Sequence, residues 1–319
     1  MPLASSSYNP RNPFRNGHVS TIYSALFRKV EGPEQERERL ELPDGDFLDL
    51  DWSRSDVNTG KVLVLLHGLE GSSQRPYMLG STRLFRNHGF DVCAVNLRGC
   101  SGEPNRLFRS YHSGATEDLD SIIAHILEKS DYNRIFLKGF SLGGNLILKY
   151  LGEPRVRSDR IVGAAVVSVP CDLHDSLLQL NRAKNWLYAR RFLTSLREKA
   201  MEKQSRFPDL LTAAEVRGIR SLKDFDDRYT SRAHGFENAM DYYRKCSSLQ
   251  FLKGITIPTL MINARNDSFL GPSCYPWESS QNHPALYFES PDFGGHVGFI
   301  DQGPYYYSEQ RSFEFLESL

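Results

Sequence analysis

The sequence predicts an α/β fold with a mostly parallel central sheet, because short apolar runs alternate with amphipathic helices from about residue 61 onward. Val62 to Leu66 is a continuous apolar run that ends in His67-Gly68, as expected of a strand buried on both faces. Comparable runs, which we assign to further strands, lie at 91–95, 134–138, 161–169, 258–263 and 286–288.

The clearest helix lies between the second and third of these runs. Its apolar residues recur at intervals of three and four along one face, and they are Leu119, Ile122, Ile123, Ile126 and Leu127. Glu117, Asp118 and Asp120 crowd its first turn, where the helix dipole favours negative charge. Helices are also predicted over 77–88 and 145–151 and at the carboxyl terminus.

Two regions depart from this alternation. Alternating runs at 39–42 and 47–52 flank a turn that contains Gly45, which predicts an antiparallel hairpin at the edge of the sheet. Residues from about 171 to 252 hold several helical stretches and no convincing buried strand. We therefore expect residues 1–319 to form a single domain with a helical cap inserted at about 171–252.

Composition and charge argue against several classes of function. Lys plus Arg equals Asp plus Glu at 39 each, so no net charge favours nucleic acid as a partner. Five scattered cysteines argue against a disulfide framework and for a reducing compartment. No run approaches the roughly 18 apolar residues of a spanning helix, and the polar amino terminus has no apolar signal core. We expect a cytoplasmic protein with no integral membrane segment.

The strongest local signal for function is Gly139-Phe140-Ser141-Leu142-Gly143, which fits G-x-S-x-G between a predicted strand and a predicted helix. In this context the turn holds the serine in a strained conformation, and the residues two positions away on each side must be glycine to avoid clashes. The hydroxyl of Ser141 then points out of the carboxyl edge of the sheet. We interpret Ser141 as a nucleophile.

A serine hydroxyl needs a base that takes its proton. His296 follows the last predicted strand in a glycine-rich loop, and no other histidine has this position. Asp267 follows the fifth apolar run, so it lies at the carboxyl end of a strand and can orient the imidazole. Asp172, just past the preceding strand, is the main alternative for this acid, and Asp292 is a weaker one. The order Ser141, Asp267, His296 is the chain order that this type of site requires.

Acyl transfer also needs hydrogen-bond donors for the developing oxyanion, each worth about 2.7–4 kcal/mol when it is removed. One candidate is the N–H of Leu142, at the start of the helix after Ser141. The other is the N–H of Leu69, in the loop His67-Gly68-Leu69-Glu70-Gly71 after the first strand run. Metal catalysis has little support, because the sequence has no HExxH and no cysteine-histidine cluster with ligand spacing.

Taken together, these motifs resemble the α/β-hydrolase superfamily. HGLEG at 67–71, NLRGCSG at 96–102 and GFSLGGN at 139–145 carry this likeness. More narrowly, the chain resembles the YheT-like branch of hydrolases, through FRNGHVSTI at 14–22, NLRGCSG at 96–102 and YHSG at 111–114. The resemblance covers nearly the whole chain. It implies an α/β-hydrolase fold and hydrolysis of carboxylic esters, with acyl transfer to alcohols known in eukaryotic relatives. One departure is that Asn16-Gly17-His18 stands where the branch usually has N-P-H.

Several further residues allow two interpretations. His112 and Asn96 either line the site or serve loop hydrogen bonds, and Cys100 and Cys171 are either reactive or simply buried. The segment 182–206 carries eight basic and two acidic residues with apolar residues between them. Such a segment either packs on the core with its charges in water or makes weak contact with a lipid surface through the cap.

The sequence therefore predicts a serine-dependent carboxylic ester hydrolase that acts through an acyl-enzyme on a small or lipid-like ester. Ser141 attacks the carbonyl, His296 is the general base, and Asp267 orients it. The N–H groups of Leu69 and Leu142 hold the oxyanion, and neither a cofactor nor a metal is required. Two alternatives stay open: an acyltransferase that passes the acyl group to an alcohol, and a catalytically silent fold that binds an acyl ligand.

Overall fold

A nine-stranded sheet runs through the computed structural model, which describes residues 3–4, 6–129 and 131–319. Its strands are β1 Leu3–Ala4, β2 Glu36–Glu41, β3 Phe47–Ser53, β4 Lys61–Leu66, β5 Phe90–Asn96, β6 Arg134–Phe140, β7 Ile161–Val167, β8 Thr259–Ile262 and β9 Leu286–Glu289. Their order across the sheet is β1-β9-β8-β7-β6-β4-β5-β3-β2. β3 pairs antiparallel with both β2 and β5, and every other pairing of these strands is parallel. The predicted mostly parallel sheet with an amino-terminal antiparallel hairpin is therefore confirmed.

The hairpin follows the sequence pattern, whereas the end of β7 departs from it. In the hairpin, Leu40 of β2 lies opposite Leu48 of β3, so the apolar side chains of the two alternating runs share one face. The fourth apolar run extends beyond its strand, because Ser168 has a left-handed φ of 55° that ends β7 at Val167.

Helices cover the sheet and fill the interval between β7 and β8. They are α1 Gly17–Leu26, α2 Pro76–Arg86, α3 Thr116–Lys129, α4 Leu142–Gly152, α5 Leu173–Leu180, α6 Trp186–Arg206, α7 Ala213–Arg217, α8 Leu222–Phe225, α9 Ser231–His234, α10 Ala239–Cys246, α11 Trp277–Gln281 and α12 Tyr307–Glu317. The sequence predicts that α4 starts at 145, whereas the helix begins directly after Ser141. Within the described ranges, no helix is both long enough and apolar enough to cross a membrane.

The sheet is buried on both faces, as its continuous apolar runs predict. On β4, Val62, Val64 and Leu66 join a core that includes α3 residues. Leu63 and Leu65 point to the other face, where they join a core that includes Phe85 and Leu316 of α2 and α12. Because both faces are filled, the open positions for chemistry lie at the ends of the strands.

The segment between β7 and β8 has a hydrophobic cluster of its own. Its buried members include Leu196, Ala200, Leu211, Val216, Ile219, Phe225 and Tyr229. α6 reaches the loop after β4, where Ser195 and Lys199 both donate hydrogen bonds to Glu70. We use the word cap for the helical segment α5 to α10. The limits of about 171–252 for this insertion, and its membership of a single domain, stay predictions.

Candidate active site

Ser141 lies in a strained turn between β6 and α4. Its φ is 51° and its ψ is −117°, a conformation that non-glycine residues rarely adopt. The turn is closed on both sides, because the Ser141 N–H donates to the Val167 carbonyl at 2.9 Å and the Asn145 N–H donates to the Ser141 carbonyl at 3.0 Å.

The two flanking glycines leave no space for side chains. A Cβ on Gly139 would lie 2.6 Å from the carbonyl oxygen of Gly143. A Cβ on Gly143 would lie 2.6 Å from the carbonyl oxygen of His67. The spacing of glycines in the sequence motif therefore follows from backbone crowding at this turn.

A chain of hydrogen bonds joins three side chains from three separate loops. The Ser141 Oγ lies 3.0 Å from His296 Nε2, and His296 Nδ1 lies 2.8 Å from Asp267 Oδ2. The Asp267 side chain is fully buried, and its other oxygen accepts from the Phe269 N–H at 2.9 Å. The Phe269 ring stacks on the imidazole with 4.3 Å between ring centroids. The structure thus brings together the three residues that the sequence analysis selected.

The two alternative acids lie elsewhere. Asp172 accepts a hydrogen bond from the Asp175 N–H at 3.0 Å and caps α5. Asp292 is 69 % exposed at its side chain and pairs with Arg265 at 3.4 Å. Within the described residues, neither carboxylate bonds to His296, so Asp267 is the acid that the geometry favours.

The loop that carries Asp267 is fastened to the end of β7. The Asn263 side chain accepts from the Val169 N–H at 2.7 Å and donates to the Val169 carbonyl at 3.1 Å. It also donates to the Cys274 carbonyl at 2.8 Å. A single buried amide therefore holds together the chain segments that follow β7 and β8.

The loop that carries His296 is held by the amino-terminal segment. The His296 N–H donates to Thr21 Oγ1 at 2.8 Å, and the Gly295 N–H donates to Asn266 Oδ1 at 2.9 Å. Asn266 also donates to the Arg15 carbonyl at 3.0 Å. A Cβ on Gly17 would lie 2.3 Å from the Asn266 carbonyl oxygen, which explains why this chain has glycine there. Sequence reasoning missed Thr21 and Asn266, although the resemblance of the segment 14–22 to the YheT-like opening motif is a signal that points to this region.

The loop after β4 lies directly beside Ser141. A Cβ on Gly68 would lie 3.1 Å from the Ser141 Cβ. His67 braces this loop, because its Nδ1–H donates to the Gly68 carbonyl at 2.7 Å and its Nε2 accepts from the Leu97 N–H at 3.2 Å. Complete burial lowers the pKa of His67 to about 4, so the imidazole is neutral at pH 7 and has the right tautomer for both bonds.

Two backbone amides near Ser141 have no hydrogen-bond acceptor among the described residues. The N–H groups of Leu69 and Leu142 donate no hydrogen bond to any described residue, and both residues line the cavity that contains Ser141. Leu142 is the first residue of α4, where unpaired N–H groups and the helix dipole favour negative charge.

Glu70 ties this loop to the cap. It has a left-handed φ of 53°. Its carboxylate accepts hydrogen bonds from Tyr111 at 2.6 Å, from Lys199 at 2.9 Å and from Ser195. Burial opposes ionisation, but the Lys199 ammonium and the two hydroxyl donors keep the pKa of Glu70 below its usual range. The residue after Leu69 is therefore held by a charged contact with α6.

A cavity of about 580 Å³ extends from Ser141 and His296 beneath the cap. Apolar cap side chains line much of it, among them Leu173, Leu177, Phe192, Leu196, Leu222 and Phe225. An apolar chamber of this size next to a few convergent polar groups is typical of a small-molecule site.

The comparisons with known proteins identify the fold family of the chain. The family model for the alpha/beta hydrolase fold matches residues 61–302. The chain belongs to the α/β-hydrolase fold family. It is 36 % identical to YheT of Escherichia coli, over 93 % of this chain and 88 % of that protein.

Two eukaryotic proteins are also similar in sequence to this α/β hydrolase. Human "Phospholipase ABHD3" is 28 % identical over 94 % of this chain and 75 % of that protein. The "Medium-chain fatty acid ethyl ester synthase/esterase 2" of Saccharomyces cerevisiae is 28 % identical over 76 % of this chain and 58 % of that protein. Among solved structures, the Pyrococcus furiosus esterase Pf2001 covers 91 % of this chain and 98 % of its own, with a TM-score of 0.59 and 17 % identity, which supports the fold alone.

The remaining residues singled out from the sequence have separate roles in this α/β hydrolase. Asn96 accepts from the Ser73 N–H at 3.0 Å and donates to Asp51 at 2.9 Å, so it serves loop and strand hydrogen bonds. His112 lines the cavity. All five cysteines are free and buried, and burial raises the pKa of Cys100 to about 11 even though Lys199 lies beside it.

Proposed function

We propose that the protein is a serine-dependent carboxylic ester hydrolase that works through an acyl-enzyme. The observation that carries this proposal is the hydrogen-bonded chain from Ser141 through His296 to Asp267, which opens into an apolar cavity. The printed names of the human and yeast relatives, a phospholipase and an ester synthase/esterase, support an ester as the substrate.

The geometry supports a specific path for the proton. As the Ser141 Oγ attacks the ester carbonyl carbon, its proton passes to His296 Nε2 at the end of a 3.0 Å hydrogen bond. The Asp267 carboxylate accepts the Nδ1–H of His296, so it selects the required tautomer and stabilises the imidazolium that forms.

The oxyanion of the tetrahedral intermediate would be held by the N–H groups of Leu69 and Leu142. Donors of this kind act strongly because they are already oriented and lie where water is excluded. When the intermediate collapses, the imidazolium of His296 gives its proton to the leaving alcohol. Water, deprotonated by the same histidine, then releases the acid and restores Ser141.

A fluorophosphonate probe tests the nucleophile directly. The matched control is Ser290→Ala, because Ser290 follows β9 at the same edge of the sheet but lies outside the cavity. We expect the wild type and Ser290→Ala to be labelled and to hydrolyse p-nitrophenyl butyrate. Ser141→Ala should not be labelled, and its turnover should fall by about 10³-fold or more. An unlabelled wild type would favour the catalytically silent fold, and equal labelling of Ser141→Ala would refute the nucleophile.

Acyl transfer to an alcohol is the second candidate function. The yeast relative named synthase/esterase favours it, and the same acyl-enzyme would serve both reactions, because an alcohol can replace water in the second step. Measuring free acid and new ester together, with an added alcohol and a fixed acyl donor, separates the two. Hydrolysis is the main activity only if the acid remains the principal product as the alcohol concentration rises.

A further inference from the structure

Large apolar side chains are exposed along α1 and at the start of α6, two helices that contact each other through His18 and Tyr188. On α1, Leu26 is 61 % exposed and Phe27, which follows the helix, is 64 % exposed. On the first turn of α6, Trp186 is 55 % and Leu187 is 66 % exposed. With Ile22 and Tyr23 they form a group that we call the apolar rim: Ile22, Tyr23, Leu26, Phe27, Trp186 and Leu187.

The apolar rim adjoins the cavity, because three of its six residues also line the cavity. α1 and α6 meet through His18 and Tyr188, whose side chains lie 3.2 Å apart from Nδ1 to hydroxyl and whose rings stack. Ile22, Leu26 and Leu187 are exposed and also line the cavity that reaches Ser141. A ligand that enters from this side therefore passes between apolar side chains on two helices.

The two segments that carry the apolar rim hold positive charge without negative charge. Residues 1–30 and 176–197 contain no Asp or Glu, although the whole chain is balanced at 39 acidic and 39 basic residues. The exposed cations in these segments are Arg11, Arg15, Lys29, Arg182, Lys184, Arg190 and Arg191. None of these seven has an ion-pair partner in the part of the chain that the structure describes.

The basic segment 182–206 divides into two halves with different roles. In its second half, Lys199 pairs with Glu70, Lys203 donates to Asn105 Oδ1 at 2.7 Å, and Arg206 donates to the Asn105 carbonyl at 2.7 Å. These cations hold α6 on the rest of the protein. The first half, next to Trp186 and Leu187, holds four exposed cations without an ion-pair partner among the described residues: Arg182, Lys184, Arg190 and Arg191.

We propose that the apolar rim and its flanking cations bind the surface of an anionic lipid bilayer. Exposed aromatic and aliphatic side chains beside Lys and Arg are typical of surfaces that insert shallowly at the headgroup boundary, and anionic lipids attract basic residues within a Debye length. Docking in this way places the cavity mouth against the membrane, so a lipid-like ester reaches Ser141 without crossing water. The proposal goes beyond the proposed function, because binding requires no turnover.

A second copy of the chain fits this surface less well. A twofold contact would bring the same patch of each copy together, and the unpaired cations of the two patches would then repel each other. An anionic bilayer complements both the charge and the apolar character.

Vesicle flotation of the full chain tests the proposal. The rim variant is Phe27→Ser/Trp186→Ser, whose residues do not line the cavity. The matched control is Val57→Ser/Val156→Ser, because Val57 and Val156 are 63 % and 98 % exposed in loops that precede β4 and β7, at the opposite edge of the sheet. The neutral vesicles contain phosphatidylcholine alone. The anionic vesicles contain phosphatidylcholine and phosphatidylglycerol at about 7:3, because anionic lipids attract basic patches.

We expect the wild type and the control to float with the anionic vesicles and to bind the neutral ones more weakly. The rim variant should lose about tenfold in partitioning, and Lys184→Glu/Arg190→Glu should lose binding to anionic vesicles selectively. Ser141→Ala should bind like the wild type, so failure of the ester hydrolase proposal leaves this readout intact. A free energy of unfolding in urea equal to that of the wild type shows that the rim variant is folded.

Three results would overturn the proposal. They are an absence of wild-type binding to either vesicle, equal binding by the rim variant, and equal loss in the control variant. A concentration-dependent dimer that the rim variant abolishes, without vesicle binding by the wild type, would instead assign this surface to contact between copies.

Discussion

The loops at the carboxyl edge of the sheet and the helical cap differ in what holds them in place, which is backbone conformation in the loops and side-chain contacts in the cap. Five non-glycine residues in the described chain have a left-handed φ: Glu70, Ser141, Ser168, Val297 and Phe299. All five lie in loops that follow strands at this edge, whereas in α5 to α10 the left-handed residue is Gly235. Strained backbone is costly, at about 1–3 kcal/mol per residue, and it is kept where it positions functional groups.

The cap instead relies on side-chain contacts. It has a hydrophobic cluster of its own, and α6 joins the sheet edge through the contact between Lys199 and Glu70. The position of the reacting groups therefore depends on a rigid backbone. Substrate access to the cavity and substrate fit depend on cap helices that contact this backbone through side chains. The following substitutions test this division, beginning with the largest expected effect.

Asp267→Asn should abolish most activity while the fold is kept. The amide cannot accept the Nδ1–H of His296 as a carboxylate does, so the wrong tautomer is favoured and kcat should fall by about 10⁴-fold. Steady-state kinetics on a soluble ester measures this. Asp292→Asn is the matched control and should be silent, because Asp292 is exposed and away from the site. A loss below tenfold in Asp267→Asn would refute the proposed role of Asp267.

Gly143→Ala should displace the backbone at the carboxyl edge of the sheet, next to Ser141. The new Cβ would lie 2.6 Å from the His67 carbonyl oxygen and 2.7 Å from that of Leu66, so the turn and the loop after β4 must separate. A displacement of this size can lower kcat/KM by about 10²-fold. Gly303→Ala is the control, since the nearest atom to its Cβ would be 3.9 Å away. Wild-type kinetics in Gly143→Ala would show that the crowding does not matter.

Glu70→Gln tests the contact between the two regions. The change leaves Lys199 without its carboxylate partner and loosens the residue that follows Leu69, so we expect kcat to fall about tenfold with a smaller change in KM. Glu70→Gln and Lys199→Met should not be additive, with a coupling of about 1–3 kcal/mol in a double-mutant cycle. Glu41→Gln, which removes an exposed ion pair with Arg106, should have little effect. Full additivity would contradict a functional link.

Lys138→Met tests whether a buried lysine within the sheet, away from its loops, lowers the free energy of unfolding. Lys138 is completely buried on β6, its Nζ has no hydrogen-bond partner among the described residues, and burial lowers its pKa to about 7. In the unfolded chain this lysine keeps its proton up to about pH 10.4. The free-energy cost of burying it is therefore full below about pH 7, and it shrinks as the pH rises from about 7 to about 10.4. The variant should therefore gain roughly 1 kcal/mol in free energy of unfolding at pH 7.

Urea unfolding of Lys138→Met at several pH values measures this gain. It should decline as the pH rises from about 7 toward about 10.4, because only above that range is the lysine of the wild type neutral in both the folded and the unfolded state. A gain that is independent of pH, or a loss of stability at pH 7, would contradict the account.

The sequence by itself determined the series of strands from β2 to β9, the antiparallel hairpin and the glycine spacing around Ser141, whereas the short β1 was not predicted. These features depend on residues within one run or one turn, so periodicity and backbone sterics are sufficient to predict them. The selection of Asp267 and His296 also needed only their positions after strands, because parallel strands bring their carboxyl ends to the same edge. The cytoplasmic location stays a prediction.

Only the tertiary structure decided which distant groups support these residues. Thr21 holds the backbone of His296 across 275 positions of chain, and Glu70 meets Lys199 across 129. It also decided that the first half of the segment 182–206 faces outward beside α1, while the second half is bound to the protein. Contacts of this kind leave no local pattern in the sequence, because they depend on how loops and helices pack after the sheet has formed.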